Sequence, residues 1–150
     1  MPTDRAGRVL VQPDLTIPGH PEVFVVGDAA SLAGEDGRPL PGVAQVAMQQ
    51  AAYATATILA RASGRPPLAP FRYRDRGSMA IVGRGAAIAD LGRLHLRGLP
   101  AWLAWLFIHL VMLIGFRSRL AVMFEWGIAF LTFQRSIRLI TGGDRPPPAA

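Results

Sequence analysis

Cysteine and lysine are both absent from this chain of 150 residues, and each absence narrows the kinds of site it can hold. Without cysteine we expect no disulfide scaffold, no thiolate metal site and no cysteine nucleophile, and the composition fits a reducing compartment. Every one of the 16 basic residues is therefore an arginine. The first 15 residues contain no apolar run, so we predict no N-terminal signal peptide.

The motifs of several common chemistries are missing as well. The sequence has no H-E-x-x-H, no Ser-His-Asp set and no P-loop, so it predicts neither a metal ligand set nor a nucleophile. The nearest approach to a dinucleotide-binding G-x-G-x-x-G is GRGAAI at residues 83–88, which lacks the third glycine and precedes no convincing helix. We therefore predict a β-turn there.

Positive charge is concentrated in the most apolar part of the chain. Of the formal net charge of +6, +5 falls between Leu91 and Gly143, where six arginines accompany one acid, Glu125. Basic charge beside apolar surface favours an anionic lipid surface as partner. The aromatic residues there are embedded among aliphatic ones rather than interleaved with polar groups, so nucleic acid is not a predicted partner.

Residues 1–62 are predicted to be mixed α/β. The apolar run Val23–Val26 predicts a buried strand, and Gly27 and Asp28 follow at its carboxyl end, where α/β sheets bind ligands. Glycine there lets a ligand approach the backbone, and the aspartate can accept hydrogen bonds from ribose-type hydroxyls, although an aspartate that merely caps a turn fits equally well. Residues 43–63 are rich in alanine and predict a helix of about five turns.

The amino end of this helix is expected to favour negative charge on a ligand, because unpaired N–H groups and the positive dipole end lie there. A flavin that becomes anionic on reduction suits such a site. Ala44 and Ala47 are small enough to permit close approach. Gln45 and Gln49 lie four residues apart on one helix face and can share a site, while the alternative interpretation is a solvated helix surface.

Within residues 63–98, the stretch at 71–98 alternates short β-like runs with five glycines, which predicts two to four short strands joined by tight turns. Residues 99–141 predict two further helices, and residues 142–150 a disordered tail. Leu99–Phe116 is uncharged over 18 residues, the threshold for a membrane span. Glu125 would be costly in lipid, so we prefer two interfacial helices, then one span, then a buried core or oligomer interface. His109 is predicted to be a hydrogen-bonded structural residue.

Four segments occur in an order that resembles a known family. They are VFVVGDAA, PGVAQVAMQQA, YRDRGSMAIVGR and a tryptophan-rich tail ending in FEWGIAFLTFQRSIRLI. Together they resemble the C-terminal portion of a type II NADH dehydrogenase, the single-subunit, non-proton-pumping NADH:quinone oxidoreductase of the FAD-dependent pyridine nucleotide-disulfide oxidoreductase superfamily.

The resemblance implies an α/β fragment with four parts. Residues 1–62 would be the C-terminal part of a Rossmann-type FAD domain, and residues 63–98 a β-rich segment near the quinone site. Residues 99–141 would form two amphipathic or apolar membrane-associated helices, followed by the tail at 142–150.

The resemblance also implies site residues. Those that would bind FAD are Gly27, Asp28, Ala44, Gln45 and Val46. Those that would line the quinone pocket are Gln45, Gln49, Arg76 and Met79. The family usually has lysine where this chain has Arg76, and because arginine stays protonated and is bulkier, the substitution argues against proton handling there. It leaves a positive charge for a quinone oxygen.

The implied activity is electron transfer from NADH through FAD to a membrane quinone of a respiratory chain. The implied location is the cytoplasmic face of the cell membrane, peripheral or monotopic, and the tail can also serve a homodimer. The FAD pyrophosphate loop and the NADH domain are missing, so we interpret the chain as a truncated or split piece, or one with a misassigned start, that is inactive alone. The alternatives are a fragment of a sulfide:quinone or other flavin oxidoreductase, and a small non-enzymatic membrane-associated protein.

Overall fold

The computed structural model describes residues 1–113 and 115–132. The chain divides into two compact units, with the boundary between Arg76 and Gly77. The first unit contains four short strands and one long helix, and the second contains three strands and two helices. An α/β composition is thereby confirmed for the described residues.

The strands of the first unit form two small pairs. Strands β1 (Val9–Leu10) and β4 (Ala30–Ser31) pair in parallel, whereas β2 (Thr16–Ile17) and β3 (His20–Phe24) form an antiparallel hairpin. The buried hydrophobic residues of this unit come from strands, loops and the helix alike: Leu15, Ile17, Ala30, Leu32, Val46, Ala54 and Ala60.

The prediction of a buried strand at Val23–Val26 is wrong in both position and burial. Strand β3 ends at Phe24, and Val23 is 39% exposed. Gly19, with a positive φ of 82°, turns the chain back so that β3 pairs with the two-residue β2. Since β3 pairs with a partner of only two residues, its side chains stay largely in solvent.

Helix α1 (Ala44–Ala62) confirms the predicted helix. Its sequence contains no glycine or proline, and its buried positions recur every three or four residues on one face: Val46, Gln50, Ala54, Thr57 and Ala60. It ends before Gly64, whose φ is +63°, and Arg65 then donates its N–H to the Ala60 carbonyl at 2.9 Å.

The second unit begins with an antiparallel meander, which confirms the predicted short strands. Its strands are β5 (Ser78–Gly83), β6 (Ala86–Asp90) and β7 (His95–Gly98), in that spatial order. The predicted β-turn joins β5 to β6 at residues 84–85.

Two helices follow the meander, α2 (Leu99–Met112) and α3 (Phe116–Thr132). The apolar run Leu99–Phe116 is therefore not one helix, because Leu113 is extended and Gly115 has a φ of +88°. Among the described residues, none of the helices combines the length and the apolar character that a membrane crossing requires. The predicted continuation to residue 141 and the tail at 142–150 lie outside the described residues.

Small side chains let α2 pack against the meander. Ala87, Ala89 and Ala101 form a buried cluster, with Met79 and Trp102 among the residues that surround it. His109 donates from Nδ1 to the Trp105 carbonyl at 2.8 Å, since that oxygen can only accept. The structural role predicted for this histidine is thus confirmed.

Candidate functional site

The Gly-Asp segment forms a single 3-10 turn, Gly27–Ala29, fastened to helix α1. The Gly27 N–H donates to Gln50 Oε1 at 2.7 Å, and Gln50 is only 1% exposed. Gly27 has a φ of +68°, and a Cβ built there would lie 3.3 Å from the Ala47 Cβ. The glycine is therefore needed for the turn and for its close approach to the helix, independently of any ligand.

Asp28 is exposed and lies beside the start of α1. A Cβ built on Gly42 would be 3.3 Å from Asp28 Oδ1. The helix is preceded by Val43, which makes no side-chain cap, and its first turn contains no acid. The structure thus brings the predicted residues Gly27 and Asp28 to the amino-terminal half of the helix that carries Ala44 and Gln45.

The remaining predicted FAD residues differ in exposure. Ala44 is exposed and Gln45 half-buried, whereas the Val46 side chain is buried within the first unit. The Val46 N–H donates to the Val43 carbonyl at 3.0 Å. The part these three residues take in a flavin site stays a prediction.

Both the nitrogen and the oxygen of the Gln49 side-chain amide form hydrogen bonds. Its Nε2 donates to the Arg74 carbonyl at 2.9 Å, and the Arg74 N–H donates to its Oε1 at 3.0 Å. The Gln49 amide thus pairs with the N–H and the carbonyl of one residue, as a neighbouring backbone does between paired β-strands. For Gln49, the interpretation as a merely solvated surface residue is therefore wrong.

Residues 69–76, which we call the strap, lie along α1 without regular secondary structure. The Tyr53 hydroxyl donates to the Ala69 carbonyl at 2.9 Å, and its ring meets Phe71 edge-on at 5.6 Å. The Phe71 N–H donates to the Pro13 carbonyl at 2.9 Å. Several independent contacts thus hold the strap.

The predicted quinone residues fall in both units. Gln45, Gln49 and the exposed Arg76 belong to the first, whereas Met79 belongs to the second, where it packs against the cluster of buried alanines. Their assignment to a quinone pocket stays a prediction.

An open cleft of about 510 Å³ lies between the loop at residues 32–41 and the strap. Arg72 Nη1 and Glu35 Oε1 stand 3.9 Å apart at its side. Burial, followed by the charge of Asp75, raises the pKa of the Tyr73 phenol above its usual value. None of the predicted site residues lines this cleft.

Ring contacts join α2 to α3. Trp105 stacks on Trp126 at 5.6 Å, and Trp102 lies 5.1 Å from Phe130. Large apolar side chains on both helices stay exposed. We call this set the apolar helix surface, and it comprises Leu103, Phe107, Val111, Phe116, Met123, Phe124, Ile128 and Leu131.

Comparison with known proteins finds relatives for most of this chain. Residues 76–135 match the family model of the NDH2 C-terminal domain. The chain is 50% identical over 141 residues to the type II NADH:quinone oxidoreductase NdhA of Mycobacterium tuberculosis. The aligned region covers 92% of this chain and 29% of that protein. It is 48% identical over 140 residues to Ndh of the same organism, with the same coverage.

The chain is therefore a homologue of the C-terminal part of the type II NADH:quinone oxidoreductases, which confirms the family predicted from its motifs. It spans about 29% of the length of these two relatives. Among solved structures, NDH2 from Plasmodium falciparum in complex with NADH matches 89% of this chain and 41% of its own, with a TM-score of 0.73 and 14% identity. At that identity the likeness shows the fold alone.

Proposed function

We propose that this chain supplies part of the FAD site, part of the quinone pocket and the membrane-contact surface of an NADH:quinone oxidoreductase. One observation carries the proposal. The Gly27–Ala29 turn is fastened to the same helix that carries Ala44, Gln45 and Gln49, so two of the four motifs that prompted the family prediction lie together in the first unit.

The residues at this place suit a flavin. Asp28 is exposed and can accept hydrogen bonds from ribityl or ribose hydroxyls. The first turn of α1 holds no acid and its start has no side-chain cap, so its positive end would favour negative charge on a ligand. When bound, the flavin accepts a hydride and passes the electrons on. Gln45 and Val46 would lie against its ring, and Arg76 would offer positive charge to a quinone oxygen.

A segment exchange tests the flavin and quinone roles. This chain would replace the matching segment of the M. tuberculosis relative that is 50% identical to it. The purified chimera is expected to show a flavin spectrum and NADH:quinone activity. Asp28→Ala is expected to weaken FAD binding by roughly ten- to a hundredfold, the effect of losing a hydrogen bond to a charged group.

Asp36→Ala is the matched control, because it removes an exposed acid from the loop at residues 32–41 and should leave FAD affinity unchanged. Equal FAD content in the Asp28 variant and the unmodified chimera would refute the assignment. Stoichiometric FAD binding with NADH:quinone activity by the 150-residue chain alone would refute its interpretation as one part of a longer enzyme.

The apolar helix surface is the proposed membrane contact, on the cytoplasmic side. Phe107 is 68% exposed and Phe124 is 65% exposed. The second unit also carries arginines that can reach lipid phosphates while their stems cover apolar surface: Arg84, Arg93, Arg97, Arg117 and Arg119. The same surface could instead form the interface of a homodimer. It would also suit the alternative of a small non-enzymatic protein that binds the membrane.

Phe107→Glu combined with Phe124→Glu is expected to lower binding to phosphatidylglycerol vesicles by at least about tenfold, because each buried phenylalanine is worth about 1.5–3 kcal/mol. Co-sedimentation of the chain with the vesicles measures this. Val82→Glu is the matched control, since Val82 is 70% exposed but lies on the sheet. Undiminished binding by the double variant, or full release by salt alone, would contradict apolar insertion.

A further inference from the structure

Two neighbouring glutamines of α1 hold two different peptide segments. Gln50 accepts the Gly27 N–H and so fastens the turn that carries Asp28. Gln49 binds the N–H and the carbonyl of Arg74 and so fastens the strap, whose last residue is Arg76. Both segments that bear predicted ligand-binding charges are therefore attached to one helix by side-chain amides.

The strap has a defined direction along this helix. Gln49 binds Arg74, and Tyr53, one turn further along α1, binds Ala69. As residue numbers rise along the helix, they fall along the strap, so the strap runs antiparallel to α1. Beyond Arg74 the backbone therefore leads toward the amino end of the helix, the end at which Gln45 lies.

We infer that Gln49 is a positioning residue rather than a quinone ligand. Its two hydrogen bonds hold the strap so that Arg76 is presented toward the amino end of α1. The inference rests on the proposed function, in which Arg76 offers its charge to a quinone oxygen. Gln49 then acts on the quinone through Arg76, because both ends of its own amide already bind the backbone.

The absence of native cysteine allows a direct test of the positioning in the 150-residue chain. Arg76→Cys creates a single site for a nitroxide label, whose mobility is read from its electron paramagnetic resonance line shape. Adding Gln49→Glu replaces the donor to the Arg74 carbonyl by a carboxylate oxygen that repels it, so the label is expected to become more mobile. Ala56→Glu adds the same charge at an exposed position of α1 and should change nothing.

A double-mutant cycle in the chimera separates action through Arg76 from direct contact with the quinone. With a short-chain benzoquinone and saturating NADH, Gln49→Glu is expected to lower kcat/KM for the quinone about fivefold, the effect of a lost hydrogen bond. In an Arg76→Ala background, the same substitution should lower it less than about twofold. The KM for NADH should be unchanged in all three variants.

Each outcome bears on a different claim. The inference would be overturned by an unchanged label spectrum in the Gln49 variant. It would also be overturned if the double variant lost kcat/KM for the quinone by the full product of the two single losses. A chimera with native residues that folds but transfers no electrons would instead overturn the proposed function. In that case the label experiment still decides whether Gln49 holds the strap.

Discussion

Gly77→Ala is expected to disrupt the β-meander of the second unit. A Cβ built there would lie 2.1 Å from the Asp90 carbonyl oxygen and 2.8 Å from the Leu91 Cα, and both of these atoms belong to the backbone. The residue also has a φ of +94°, which strains any side chain. Because neither atom can move aside cheaply, the expected loss of unfolding free energy is about 3 kcal/mol or more.

Chemical unfolding followed by tryptophan fluorescence measures this loss, since all three tryptophans lie in the second unit. Gly92→Ala is the matched control. Its φ is also positive, at +78°, but nothing lies within 4 Å of a Cβ built there, so only conformational strain of about 1 kcal/mol is expected. Equal losses in the two variants would show that the close approach of Gly77 to Asp90 contributes nothing.

Gln50→Leu is expected to cost about 1–3 kcal/mol of unfolding free energy in the first unit. The substitution fills much the same volume in a site that is 1% exposed, but it removes the acceptor of the Gly27 N–H. That donor then stays partly buried without its partner. Hydrogen exchange at the Gly27 amide should accelerate, and exchange across α1 reports the global loss.

The same substitution at the neighbouring position is the control. Gln49→Leu also removes hydrogen bonds to backbone, but Arg74 is exposed, so its freed N–H and carbonyl can bind water. Its cost to stability should therefore be clearly smaller than that of Gln50→Leu, even though it frees the strap at Arg74. A larger cost at Gln49 would contradict the importance of burial in this comparison.

Elements with strong local signals were predictable. Helix α1 lacks helix breakers over 19 residues, and the turn at residues 84–85 contains Gly85 and directly follows Gly83. The buried strand at Val23–Val26 was mispredicted because four consecutive apolar residues do not reveal what covers them. Burial depends on partners distant in sequence, and the hairpin closed at Gly19 supplies only the two-residue β2.

The glutamines show the same limit more sharply. The sequence offered Gln45, Gln49 and Gln50 as polar groups on neighbouring turns, but site roles were predicted only for Gln45 and Gln49, which a spacing of four residues places on one face. Gln50 is the residue that holds the Gly27 turn, 23 positions earlier in the chain. No local pattern signals a bond of that span, because the side chain and its partner meet only once the chain has folded.

By itself, the sequence determined the family, the α/β composition, the long helix, the short strands and the concentration of basic charge beside apolar residues. All of these follow from motifs or from near-neighbour periodicity. Only the tertiary structure decided what each glutamine holds, which glycines are sterically required, and that the helix beginning at Leu99 ends at Met112, before the apolar run does. Those properties depend on distances between residues far apart in the chain, and folding alone sets such distances.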